Sequence, residues 1–325
     1  MNTSTNYSDY ATFGIHSDGV RYTLACYTIF VATSSLLGDS LILYASNQRG
    51  AFKLHKVIVT IIQQIAVSDL LISITDVLPT AISLFAGSWV LGDTLCLVTE
   101  FLAYWVYPCG MYLICLLVTS KYLTLKFPLR AGSWSKRRFH KVCAVIWLYS
   151  LGGSLGMYLV DSDDVLFDYR TYGCEYQFSS DIWKKMPLAA TLAVANLIVI
   201  TASLLTVDVA RRAARARRSS VNLRGVATVV LTAVVFLIST LPRIISITLD
   251  AFFKEVILSP FHLHRVSTFL SMINIMSNFF IYCLTLTSFR EFLLQKIRPG
   301  GTSHHALPRH RQLQPGEPLL YSSTF

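Results

Sequence analysis

Residues 96–122 read CLVTEFLAYWVYPCGMYLICLLVTSKY: a cysteine, an almost uninterrupted apolar run, then Ser120-Lys121-Tyr122. At about 1.5 Å rise per residue, this run is long enough to cross a bilayer as a helix. It joins a cysteine on one face of a membrane to a small charged cluster on the other. That is the layout needed to carry a signal across.

The rest of the chain repeats the pattern. Hydrophobic residues make up 53% of the 325 positions and charged residues 14%, with a mean hydropathy of +0.52. A soluble domain carries about a quarter charged residues. The apolar residues are blocked into seven runs, at 22–46, 57–85, 97–119, 142–160, 183–209, 225–249 and 264–286. The expectation is an all-α membrane protein, a seven-transmembrane helix bundle over 22–287 preceded by an N-terminal tail at 1–21. In SFREFLLQKI, Phe289, Phe292 and Leu293 share one side while Arg290, Glu291 and Lys296 face water, so 288–298 is predicted to be a short interfacial eighth helix. Pro299-Gly300-Gly301 ends it, and 299–325 reads as a disordered tail.

Charge predicts the orientation. If the N-terminus is outside, Arg49, Lys53, Lys56, Lys121, Lys126, Arg130, Lys136, Arg137, Arg138 and Lys141 are all cytoplasmic. So are Arg211, Arg212, Arg215, Arg217, Arg218, Arg224 and the basic residues from Arg290 onward. Only Arg21, Arg170, Lys184, Lys185, Lys254 and Arg265 then fall outside, so the positive-inside rule favours an extracellular N-terminus and a cytoplasmic C-terminus. The net charge of +10 suits anionic membrane lipid or an acidic partner. It does not suit nucleic acid, because the arginine run 211–218 joins two membrane helices. Residues 1–20 show no signal peptide, and the first span is expected to act as its own anchor. Asn2 and Asn6 begin glycosylation sequons on the side predicted to be extracellular. Five of the seven cysteines lie within apolar runs; Cys96 and Cys174 alone sit at span ends, both on the oxidising side, and are expected to form a disulfide.

The landmarks now resemble, in order, those of the rhodopsin-like (class A) G-protein-coupled receptors over residues 22–297. Gly38-Asp39 is similar to the Gly-Asn of that family's first helix, and Ile65-Ala66-Val67-Ser68-Asp69 to the Leu-Ala-x-x-Asp of its second. Trp89 and Gly92 precede Cys96 as in its first outer loop. Lys121, 25 residues after Cys96, holds the place of the central residue of Asp-Arg-Tyr. Trp147, Phe236, Pro242, Asn278-Phe279-Phe280-Ile281-Tyr282 and Phe289-Arg290 complete the series. Departures are Asp39 for Asn, Ser120-Lys121 for Asp-Arg, Thr240 for a tryptophan and Phe279 for proline. Ala103 stands where amine receptors carry Asp, and the seventh span has no lysine for a retinal Schiff base.

Charged groups within a bilayer are functional candidates. The resemblance implies that Asp69, Asn274 and Asn278 form an oxygen-rich pocket for a sodium ion, with a water network as the alternative and Asp39 as a second acid nearby. No other cofactor is expected. Asp76, Glu100, Ala103, Tyr104 and Arg243 are the expected ligand-binding residues, beneath a loop rich in Asp. That setting predicts a cationic extracellular ligand, a basic peptide or an amine. Ser120, Lys121, Tyr122, Asp208, Asn278 and Tyr282 are the expected switch residues toward a heterotrimeric G protein. A Lys121–Asp208 pair is expected to replace the family's usual ionic restraint. The function implied is a plasma-membrane receptor rather than an enzyme. The alternatives are an atypical receptor that binds without coupling and, more remotely, a transporter or channel.

Overall fold

The computed structural model describes residues 18–48, 50–161, 165–176, 182–215, 223–252 and 260–297. The sequons at Asn2 and Asn6 and the tail from 298 lie outside the described residues. Within them, seven helices are long and apolar enough to cross a membrane. We label them α1 (Asp18–Ser46), α2 (Lys56–Ala86), α3 (Asp93–Lys126), α4 (Lys136–Asp161), α5 (Ile182–Arg215), α6 (Leu223–Phe252) and α7 (Pro260–Thr285). A further helix, α8 (Thr287–Ile297), follows α7 after one residue.

Sequence chemistry sets the ends of these helices. α2 starts at His55, whose ring Nδ1 accepts the Val57 amide at 3.4 Å. It stops at Gly87, which is left-handed at φ 79°, a conformation glycine adopts without side-chain strain. Arg21 of α1 completes this end by donating to the Leu84 and Phe85 carbonyls. Inside α2, residues Ser73–Val77 form a π-turn just before Pro79. Such a turn resets the face on which the following side chains fall, and here it carries Asp76. Pro108 and Pro242 lie inside α3 and α6 and remove one backbone donor from each.

Large apolar side chains cover the outside of the bundle, among them Leu37, Leu148, Leu159, Leu204 and Leu284, as a lipid solvent requires. Inside, small and polar residues bring the helices together. Gly38 is the tightest case. A Cβ there would lie 2.6 Å from the Phe279 Cβ, so the missing side chain on α1 makes room for the phenylalanine that replaces proline on α7. α4 is tied to its neighbours through tryptophan. Trp147 Nε1 donates to Gln64 Oε1 at 3.0 Å, and Trp105 Nε1 donates to the Trp147 carbonyl at 3.1 Å. α8 is anchored by Phe289, which is fully buried and stacks on Phe52 at 5.0 Å, while Arg290 and Glu291 are exposed.

The stretch read as an acidic loop contains a hairpin that the all-helical expectation did not include. β1 (Val165–Asp168) pairs antiparallel with β2 (Gly173–Tyr176), with Phe167 opposite Cys174. Its turn is built by Asp168, whose carboxylate accepts the Arg170 amide at 2.8 Å, and by Tyr172, which takes a positive φ of 58°. The Cys96–Cys174 disulfide, expected from the sequence, ties β2 to the start of α3 with a Cα–Cα distance of 5.4 Å. We call this the disulfide end of the bundle and the opposite one, which holds Lys121, the basic end.

Candidate ligand cavity and ion pocket

Beneath the hairpin, α2, α3, α5, α6 and α7 enclose a cavity of about 470 Å³. All five residues expected to bind ligand line it: Asp76, Glu100, Ala103, Tyr104 and Arg243. The structure gives them different company. Asp76 accepts the Tyr107 hydroxyl at 2.9 Å and has no cationic partner among the described residues. Glu100 accepts the Tyr176 amide at 3.1 Å, so one of its oxygens braces the hairpin while the side chain still borders the cavity. Tyr104 packs edge-on to Tyr176 with ring centroids 4.8 Å apart. Of the other third-helix aromatics, Trp105 packs on Trp147 and Tyr112 on Tyr149, both structural roles.

Arg243 belongs to a cluster that sequence reasoning did not assemble. Its guanidinium donates to Thr268 Oγ1 at 2.7 Å, touches the His264 ring at 3.1 Å and lies 3.7 Å from Glu175. His264 Nε2 is 3.0 Å from the other Glu175 oxygen. The hairpin is thereby latched to α6 and α7. Arg265 adds a second latch by donating to the Arg170 and Tyr169 carbonyls. Burial by itself would raise the Glu175 carboxyl, but Arg243, His264 and Arg170 outweigh it and hold the group well below the usual carboxylate range. Asp168, Glu175 and His264 come close enough together to suggest a metal site. However, Arg170 grips both Asp168 oxygens and Arg243 crowds the histidine, so this is a charge-paired latch. The only trace of His264 in the sequence is a histidine at the mouth of an apolar run, which on its own says nothing about partners. The acidic vestibule is correspondingly less acidic than expected, because Asp168 and Glu175 are both paired. Asp163, Asp164 and Asp181 lie outside the described residues.

The cavity continues downward to Ser68, Asp69, Gly110 and Asn274. Asn278 Nδ2 donates to Asp69 at 2.8 Å, and Ser35 donates to Asp39 at 2.6 Å and in turn accepts from Ser73. Four buried oxygens here have no hydrogen-bond partner: Asp39 Oδ1, Asn274 Oδ1, Asn278 Oδ1 and the Tyr282 hydroxyl. A dry, empty pocket would not leave so many polar atoms unsatisfied. An all-oxygen set around a buried carboxylate fits a hard monovalent cation. Gly110 offers no hydroxyl, but Ser68 Oγ fills the space beside it, 3.2 Å from where a Cβ would stand.

Between cavity and basic end, Thr240 lines the cavity at the position where the sequence pattern leads one to expect tryptophan. Its hydroxyl lies 2.9 Å from Asn196 Oδ1 on α5 and 2.8 Å from the Phe236 carbonyl. Thr240→Val is expected to strand the buried Asn196 carbonyl oxygen and lower stability by about 1–2 kcal/mol, read as a fall in Tm of the purified protein; an unchanged Tm would mean that this bond contributes nothing.

At the basic end, Lys121 is buried and Ser120 cannot ionise. The expected Lys121–Asp208 pair is not formed. Asp208 is half exposed and pairs within its own helix with Arg212 at 2.9 Å, a local partner one turn away that costs less order than reaching into the bundle. Tyr122 accepts from Lys126 at 2.7 Å. Tyr282 is fully buried, with its ring edge-on to Phe52.

With this geometry in place, comparison with known proteins identifies the class. The family model described as 7 transmembrane receptor (rhodopsin family) matches residues 40–282, and the chain belongs to that family. Similar proteins include Melanopsin-B of Xenopus laevis, 29% identical over 139 residues, covering 42% of this chain and 26% of that protein. Lysophosphatidic acid receptor 6 of Homo sapiens is 28% identical over 173 residues, or 52% of this chain and 49% of that protein. Melanopsin of Mus musculus is 31% identical over 147 residues, or 42% of this chain and 26% of that protein. The matches thus span a quarter to a half of these relatives' lengths. The chain is a multi-pass membrane protein of a receptor family, not an enzyme.

Proposed function

We propose that this chain is a plasma-membrane receptor that binds a cationic extracellular ligand, a small amine or a basic peptide, and signals to a heterotrimeric G protein. In this reading the disulfide end faces outward and the basic end faces the cytoplasm, as the distribution of lysine and arginine favours. The observation that carries the ligand class is Asp76. It is a carboxylate bordering the cavity, set there by a π-turn, hydrogen-bonded to a tyrosine hydroxyl and in no ion pair among the described residues, with Arg243 elsewhere in the same lining. Glu100 adds a second carboxylate whose neighbour is a backbone amide. Bringing a cation into such a cavity offsets the cost of holding both acids away from water.

The same electrostatics oppose an anion such as the lysophosphatidic acid of one relative's name. A seventh helix without lysine opposes a Schiff-base chromophore. The oxygen set at Asp69, Asn274 and Asn278, with Asp39 behind it, is proposed to hold sodium and to link the cavity to Tyr282. α8 is proposed to lie on the lipid surface, with Arg290 and Lys296 toward headgroups. A receptor that binds without coupling is the second reading, and its support is Ser120-Lys121-Tyr122, in which no acid restrains the lysine.

The test is ligand binding by receptor in nanodiscs against a panel of amines and basic peptides. Asp76→Asn is expected to weaken the best binder by tenfold or more, as loss of a charge-assisted hydrogen bond in a desolvated site would. Unchanged affinity in Asp76→Asn would remove the carboxylate from the site, and a panel in which only anions bind would reverse the ligand class.

A further inference from the structure

The upper cavity holds two carboxylates, Asp76 and Glu100, that no cation pairs with among the described residues. The other charges around them are already matched. Arg170 holds Asp168 at 2.6 Å, and Arg243 faces Glu175 at 3.7 Å with His264 and Thr268 beside it. Asp69 lies deeper, bonded to Asn278 in the ion pocket. Asp76 and Glu100 each give one oxygen to a neutral donor, Asp76 Oδ2 to the Tyr107 hydroxyl and Glu100 Oε1 to the Tyr176 amide. Their second oxygens, Asp76 Oδ1 and Glu100 Oε2, accept no hydrogen bond from the described residues. Neither is among the oxygens sealed inside the protein, so both open to the cavity that their residues line.

The two acids mark the ends of one track. Glu100, Ala103, Tyr104 and Tyr107 share a face of α3 by their helical spacing, and all four border the cavity. Glu100 stands at the hairpin end of this face, bonded to β2. Tyr107 lies two turns deeper, about 10 Å along the helix. Its hydroxyl marks the level of Asp76. Between these ends Ala103 is only a methyl group, which leaves the track open, and Tyr104 walls it with an aromatic ring. The volume of about 470 Å³ falls within the range of roughly 300–1,000 Å³ for small-molecule sites.

We infer that the cavity takes a small dication, an alkyl diamine with one ammonium on Asp76, the other on Glu100 and its apolar linker along Ala103 and Tyr104. This rests on the cationic-ligand reading proposed above and narrows it. A single ammonium leaves one carboxylate of the cavity without a counter-charge, which is costly away from water. A diamine matches both. The neutral donors from Tyr107 and Tyr176 hold the carboxylates in place before the ligand arrives, so little order is lost on binding. A linker of matching length makes the second contact intramolecular.

The experiment measures binding to the full chain in nanodiscs of linear alkyl diamines of increasing length. Each is compared with its mono-N-acetyl derivative, which keeps the chain and loses one charge. At the matching length the diamine is expected to bind at least tenfold more tightly than its acetylated partner, as a second charge-assisted contact supplies. Shorter and longer diamines should show a smaller ratio. Asp76→Asn and Glu100→Gln each keep an oxygen for the neutral donor, and each is expected to abolish the ratio. Glu291→Gln, a change of an exposed acid on α8, should keep it. Each ratio compares two ligands on one protein, so differences in receptor amount cancel, and the wild-type series is a test that needs no variant. A ratio that survives in Glu100→Gln overturns the inference, as does a wild-type series in which no diamine outbinds its acetylated partner. If free and acetylated amines bind alike and Asp76→Asn weakens both, the single-cation reading stands and this one falls. A receptor that binds no amine of either series sinks both.

Discussion

Gly38→Val is expected to reduce the folded receptor sharply, with a loss of stability of at least about 1–3 kcal/mol, the range for forced overpacking in a tight core. The basis is geometric. The first atom of any side chain at position 38 would lie 2.6 Å from the Phe279 Cβ and 2.7 Å from its ring, closer than side-chain carbons ever approach. Both atoms lie near the backbone of α7, so neither can swing aside as the end of a long chain could. Relief needs α1 and α7 to separate at this contact. The measurement is a double-mutant cycle on Tm in detergent, with Gly38→Ala, Phe279→Gly and the pair. Phe279→Gly removes the Cβ as well as the ring and is expected to rescue most of the Gly38→Ala loss, a coupling that neighbours in direct contact show. Additive effects would mean that the two helices do not meet here as described.

The second large effect is expected at Glu175. Removing its carboxylate leaves Arg243 and His264 facing each other under the hairpin with no anion between them. Breaking one side of a buried ion pair is costly, but Glu175 and Arg243 retain 19% and 26% exposure, so the expected loss is about 1–3 kcal/mol rather than the full buried value. Glu175→Gln is expected to recover part of it, because an amide oxygen can still accept from His264. The acid limb follows from the same group. Its carboxyl is held below its unfolded value by Arg243, His264 and Arg170 against the opposing effect of burial. Its contribution is therefore fully present above the ordinary carboxylate range and lost only as pH falls through the lower folded value. Tm followed from pH 7 downward should show a steeper acid decline in the wild type than in Glu175→Gln. Parallel curves would assign the acid sensitivity to other carboxylates.

How much of this was readable in the residues depends on what each feature needs. A bilayer forces long apolar runs, so the seven spans were legible, as was the Cys96–Cys174 bond once both cysteines were placed on one side. The cavity-lining residues Asp76, Glu100 and Arg243 stood out because a charge within an apolar run is costly to hold in a membrane and so marks a functional position. The hairpin was hidden because its strands are four residues each and its turn depends on a single aspartate. Glu175, Arg243 and His264 could not be joined because they come from a loop and two helices, and pairing over such separations leaves no periodic trace. The Lys121–Asp208 pair looked plausible from position alone, and Arg212, four residues from Asp208, defeated it. Gly38 and Phe279 each looked like isolated features of the sequence; only their closeness shows them to be two halves of one contact.

The central claim is that occupancy of the cavity beneath the hairpin is transmitted to the basic end. Its most direct measurement is nucleotide exchange on a purified heterotrimeric G protein by the receptor in nanodiscs. It would be made with the best cationic binder of the panel, using wild type and Asp76→Asn at matched receptor amounts. Stimulated exchange in the wild type, displaced to tenfold or higher ligand concentration in Asp76→Asn, is the expected result. Saturating ligand that leaves exchange at its basal rate would contradict the claim, as would stimulation that is indifferent to Asp76.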